Sequence, residues 1–134
     1  MSEMIENTGM DRQKLKTFIL ETYPASADRP WLQYPNYEVF RHSSNQKWFA
    51  VVMDLPKSKL GLQGEERIDA VNLKCGPILV GSLLMENGFF PAYHMRKDSW
   101  ITVALDGSVA DDKIKMLLDV SYQATAPKVR KKKG

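Results

Sequence analysis

The stretch Val71 to Gly107, VNLKCGPILVGSLLMENGFFPAYHMRKDSWITVALDG, decides the fold. It reads as strand, helix, irregular turn and strand. Ile68 to Lys74 carries Ile68, Ala70, Val71 and Leu73, enough apolar surface for a core strand. Gly76-Pro77 opens a helix, because proline suits a first helical position. Ile78, Leu79, Leu83 and Leu84 keep helical spacing up to Asn87-Gly88, a good helix stop. Phe89 to His94 is bent by Pro91, Trp100 to Leu105 alternates as a strand, and Asp106-Gly107 is a turn. Lys74, His94, Arg96, Lys97 and Trp100 gather at the junctions.

Working outward, Ser108 is placed to cap a last helix, with Asp111 and Asp112 favouring the positive end of its dipole. Ile114, Leu117, Leu118, Ser121 and Tyr122 form that helix's inner face. Upstream, Leu15, Phe18, Ile19 and Tyr23 fall at helical spacing after Asp11, and Pro24 ends the run. The three prolines of PASADRPWLQYPN predict an ordered loop whose Trp31, Leu32 and Tyr34 pack onto the domain. Tyr37 to Arg41 and Lys47 to Met53 read as a hairpin, and the apolar run Trp48 to Met53 predicts burial on both faces for part of its length. Leu55 to Arg67, rich in Lys, Gly and Glu, reads as a long, mobile loop. Short connections between strands then predict an α+β fold, a mainly antiparallel sheet packed by helices on one face.

The 134 residues suffice for one domain with a core. The expected division is a frayed segment 1–9, a domain over 10–126 and a basic tail over 127–134. No apolar run approaches the roughly 18–20 residues that cross a bilayer, and no leader pattern opens the chain. A lone Cys75 excludes an internal disulfide and suits a reducing compartment, so the expected location is the cytoplasm. With His42 and His94 the only histidines, neither a metal nor another cofactor is expected. Five of the 19 basic residues lie in the tail, leaving 14 against 16 acidic side chains before it, a formal −2. The domain itself is therefore not basic, and only a local patch could meet phosphate.

VNLKC at 71–75, PAYHM at 91–95, Lys97, Trp100, LDGS at 105–108 and SY at 121–122 resemble the MmcQ/YjbR family. VFR at 39–41 and KWFA at 47–50 match the same pattern, so the resemblance spans Asp11 to Tyr122. It implies a single CyaY-like, or YjbR-like, α+β domain. Members are described as DNA-binding through a double-wing arrangement of strands and loops. The Leu55 to Arg67 insertion departs from the shorter family pattern and would alter any wing it joins.

Arg41, Lys47, Lys74, Arg96 and Lys97 sit at strand ends or turns, positions that suit phosphate contacts, with Trp48 or Trp100 offering a stacking face. The alternative is a set of solvated charges whose stems cover apolar neighbours. With His94 and the tail residues Lys131 and Lys132, these five make the expected contact set for double-stranded DNA, bound weakly or non-specifically. His94 as a general base would need an orienting carboxylate, and Asp98 is the only acid near it in sequence, so a structural histidine is the simpler reading. Cys75 precedes a helix start that can lower a thiol pKa, although most such cysteines are small core fillers. Trp100 and Tyr93 read more simply as core than as ligand contacts. Glu65-Glu66 and Asp111-Asp112 are isolated pairs and make no frataxin-like iron site. The expectation is thus a non-enzymatic DNA-binding protein. The alternative is an adaptor for a protein or small ligand, with a groove near Trp31, Tyr93 and Trp100.

Overall fold

Helix α1 (Arg12–Thr22) starts where the Asp11 carboxylate accepts the Lys14 amide at 2.8 Å, a side-chain cap on an otherwise unpaired donor. Leu15 and Ile19, four residues apart, bury its inner face, and the chain turns extended at Tyr23 just before Pro24. This computed structural model describes residues 9–127. After α1 come β1 (Ala25–Asp28), β2 (Glu38–His42), β3 (Trp48–Pro56) and β4 (Arg67–Lys74). Helix α2 (Pro77–Leu83), β5 (Phe89–Pro91), β6 (Trp100–Ala104) and α3 (Asp111–Thr125) complete the chain. The strands form one sheet, ordered β1-β2-β3-β4-β6-β5, with every neighbouring pair antiparallel. The α+β architecture is the expected one.

Helices cover one face only. Leu15, Ile19, Val80, Leu83, Leu117 and Leu118 close over Phe40, Val52, Val71, Leu73, Ile101 and Val103 in the main core. The opposite face carries a smaller core of Met53, Leu55, Ile68, Ala70 and Ala104, roofed by Leu60 and flanked by Tyr37, Phe90 and Tyr93. Loops rather than helices shelter it. The double burial expected for the Trp48 to Met53 run follows from these two cores.

Four local expectations need correction. Ala25 to Asp28, expected within a loop, is an edge strand, because its backbone pairs with β2 although ASAD has little β propensity of its own. The long loop after Leu55 contracts. The β3–β4 ladder runs on to Pro56 opposite Arg67, followed by a 3-10 turn at Lys57–Leu60, and the Lys57 amide donates to the Glu66 carbonyl at 2.9 Å. Helix α2 stops at Leu83 rather than at Asn87-Gly88. Gly88 instead serves the turn beyond it, at φ 91° with room for no Cβ, since one would stand 2.4 Å from Val109 Cγ2. Ser108 does not cap α3. Its hydroxyl donates to Asp106 Oδ1 at 2.6 Å, and Ala110 occupies the cap position without a side-chain bond.

One irregularity shapes the loop-covered face. Phe40 faces Ala50 but Arg41 faces Trp48, so Phe49 is an extra residue, a β-bulge in β3. Phe49 and Ala50 both join the helix-side core. Strict alternation from Val51 would send Trp48 there too; the bulge returns Trp48 to the loop-side face beside Val51 and Met53.

Candidate functional site: an aromatic cleft on the loop-covered face

A cleft of about 290 Å³ opens on that face, lined by Trp31, Tyr34, Tyr37, Trp48, Tyr93 and His94 over a floor of Val51, Met53 and Asn72, with Met95 at its side. The Pro-rich segment before β2 supplies the first three aromatics. Trp31 meets Trp48 edge-on with centroids 5.6 Å apart and Tyr37 at 6.2 Å, while Tyr34 stacks on Tyr37 at 4.8 Å. Such edge and offset contacts hold rings rigidly without a backbone ladder. Trp31, Tyr37, Trp48 and Tyr93 are half-buried, whereas Tyr34 and His94 are exposed.

The floor fixes the far wall. Thr102 donates its hydroxyl proton to Asn72 Oδ1, Asn72 Nδ2 donates to the Tyr93 carbonyl at 2.9 Å, and the Tyr93 amide donates to Thr102 Oγ1 at 2.9 Å. Asn72 and Thr102 are buried, so each of these bonds is costly to lose. The network clamps Tyr93 on both sides of its Cα and so supports the left-handed backbone of His94, φ 61°, which a non-glycine residue adopts only at a cost. The His94 ring then lies on Tyr93 with centroids 4.0 Å apart.

The cleft's polar groups include two indole N–H donors and three phenol hydroxyls that can donate or accept. Burial first, then proximity to Tyr93 and Asp54, pushes the Tyr37 hydroxyl above its ordinary pKa, so it keeps its proton. Among the described residues, no protein hydrogen bond occupies the indole N–H of Trp31 or Trp48, or the hydroxyls of Tyr34, Tyr37 and Tyr93. No carboxylate among the described residues lines the cavity.

The strand-end basic residues share one end of the sheet. Arg41, Lys47 and Lys74 lie at one end of the sheet, at the close of β2, before β3 and at the close of β4. Arg41 is held by Asp28 through bonds of 3.1 and 3.4 Å, with its guanidinium 5.6 Å from the Trp48 ring centroid. Arg96 pairs with Asp98 at 2.8 Å, a contact that holds the Asp98 carboxyl below its ordinary pKa. Lys47, Lys74 and Lys97 enter no ion pair among the described residues. Lys131 and Lys132 lie outside the described residues. Arg96 and Lys97 fall at that same end, in the turn before β6: the Trp100 amide donates to the Arg96 carbonyl at 3.0 Å, and Trp100 faces Lys74 across the β4–β6 ladder.

Other expectations change here as well. Trp100 does not line the groove; it is 8% exposed within β6, opposite Lys74, and Trp48 takes the place expected of it. Leu32 does not pack onto the domain and is 95% exposed. Burial pushes the Cys75 thiol above its ordinary pKa, against an activated thiolate. His94 has no carboxylate partner among the described residues. Sequence reasoning missed Tyr37 and Met95 as wall residues, and nothing in their spacing signals a shared cavity. No group of three or more His, Cys, Asp or Glu side chains among the described residues could hold a metal, and no described helix is long and apolar enough to cross a membrane.

Comparison with known proteins agrees with this architecture. Residues 20–124 match the family model YjbR. The Bacillus subtilis protein YyaQ is 37% identical over 116 residues, covering 87% of this chain and 98% of its own. Escherichia coli YjbR is 42% identical over 59 residues, 43% of this chain and 50% of that one. A Pseudomonas syringae crystal structure, 44% identical, superposes with a TM-score of 0.85 over 87% of this chain and all of its own. Motifs, topology and matched length agree: the chain belongs to the YjbR family.

Proposed function

We propose that this protein is a non-enzymatic binding protein whose site is the aromatic cleft on the loop-covered face of the sheet. One observation carries the reading: five aromatic side chains converge on a preformed cavity with N–H and O–H donors left for a guest. At about 290 Å³ it stands at the lower end of small-ligand sites, which are mostly apolar with a few placed polar groups. A binding role rather than a catalytic one is supported by His94, whose ring stacks on Tyr93 with no carboxylate among the described residues to orient it.

A second reading, contact with duplex DNA, draws on the common position of Arg41, Lys47, Lys74, Arg96 and Lys97 at one end of the sheet. It ranks second because Asp28 and Asp98 already hold Arg41 and Arg96. It also ranks second because the chain before the tail has a formal charge of −2.

Adenine, a neutral planar ring, tests the first reading. Titrated into the labelled protein, it is expected to move the indole N–H resonances of Trp31 and Trp48 first. Tyr34→Ala, at an exposed position, should weaken that binding by about 5-fold or more, the scale of one lost aromatic stacking contact. Shifts scattered over the surface and indifferent to Tyr34→Ala would remove the cleft as a site.

A further inference from the structure

A second cavity of about 290 Å³ adjoins the first, and Tyr93 lines both. Leu60, Phe90, Pro91 and Ala92 supply its apolar surface, and Lys59 and Lys97 its charge. Lys59 comes from the 3-10 turn of the 55–67 insertion, and Lys97 from the turn that follows His94. Their basic neighbours are neutralised: Lys57 pairs with Glu66 at 3.0 Å and Arg96 with Asp98 at 2.8 Å. Among the described residues, Lys59 and Lys97 enter no ion pair and no carboxylate lines either cavity.

An anion placed at a cavity lined by two like positive charges is attracted to both. The cleft on the other side of Tyr93 offers ring faces and donors, which suit a planar heterocycle. We propose that the two cavities form one bipartite site for a planar aromatic molecule carrying an anionic arm. The ring would lie in the aromatic cleft and the arm would reach past Tyr93 to Lys59 and Lys97. This inference rests on the cleft reading above and adds the chemical class of the guest. A free nucleoside monophosphate is the simplest molecule of that class. The insertion then has a role, since its 3-10 turn delivers one of the two ammonium groups.

The test titrates the full chain with adenosine and with AMP at low and near-physiological salt, beside the adenine experiment. AMP should bind about 10-fold more tightly than adenosine at low salt, the scale of one charge-assisted contact, with the gap narrowing as salt rises. Lys59→Ala and Lys97→Ala should each lower AMP affinity several-fold, leave adenosine affinity unchanged and leave the melting temperature unchanged, since both side chains are exposed. Equal affinities for AMP and adenosine, or lysine variants that affect both alike, would overturn the anionic arm while adenine binding still upheld the cleft. Failure of adenine, adenosine and AMP alike would overturn both. Binding of a single-stranded oligoadenylate without binding of AMP would overturn the free-nucleotide inference in favour of a nucleic-acid strand.

Discussion

His42 is 1% exposed, stacked on Tyr122 with centroids 4.0 Å apart and edge-on to Phe49 at 5.2 Å. The Thr125 hydroxyl lies 2.8 Å from the Ser121 carbonyl oxygen, to which it can donate, and 2.8 Å from His42 Nε2. Burial lowers the His42 pKa from its ordinary 6.5, opposed by a hydrogen bond to the Tyr122 backbone and aided by nearby Lys47. On acidification the unfolded chain therefore takes up this proton before the folded one does. The stabilising contribution is present above about pH 6.5 and is lost as pH falls through the depressed folded value. Urea unfolding at pH 7.5 and pH 5.5 should show a smaller drop in stability for His42→Phe, which keeps the stacking, than for the unaltered protein. Equal drops would mean that His42 does not sense pH. The sequence places this residue in a hairpin turn, because nothing local shows that Thr125, 83 residues away, completes its bonding.

Among the elements, α3 and the bulge in β3 depend on each other. The Ser121 hydroxyl donates to the Phe49 carbonyl at 2.6 Å and accepts the Lys74 amide at 2.9 Å. Phe49 is the bulged residue, and these two groups lie one step beyond the last β3–β4 pair, Ala50 opposite Leu73, where one side chain from the helix satisfies both. Ser121→Ala should cost about 1–3 kcal/mol in urea unfolding, the range for a buried polar group left unpaired. A loss below about 0.5 kcal/mol, typical of a surface substitution, would mean that water satisfies both groups instead. The SY pair at 121–122 is legible as a motif and its helix as an apolar stripe, since spacing of three and four residues survives any tertiary context. The bulge is not legible. In an unbroken run such as WFAVVM every position is apolar, so the side-chain pattern gives no sign of where the alternation shifts by one.

Across the whole molecule, helices, sheet and family are readable because their signals are local or lie in order along the chain. The cleft is readable only in part. Its walls come from residues 31–37, 48–53, 72 and 93–95, four stretches that meet only once the sheet has formed. Trp31 and Tyr93 are expected there from the sequence, but Trp100 is named where the bulge delivers Trp48. Charge is divided between domain and tail in a way that can be measured. Fluorescence anisotropy with a mixed-sequence duplex should show salt-sensitive binding by the full chain and little by a chain ending at Ala126. If the shortened chain binds as well, and Lys47→Ala and Lys74→Ala each reduce the salt slope by about one, the duplex reading displaces the cleft as the principal function. The sheet's two margins have a consequence of another kind. β1 has four residues, and β5 has three and closes on Pro91, which has no amide to offer. Neither margin presents a long row of free donors and acceptors, so the longest strands, β3 and β4, stay inside the sheet where no other chain can extend them. Resistance to strand-by-strand aggregation is therefore built into the order of the sheet.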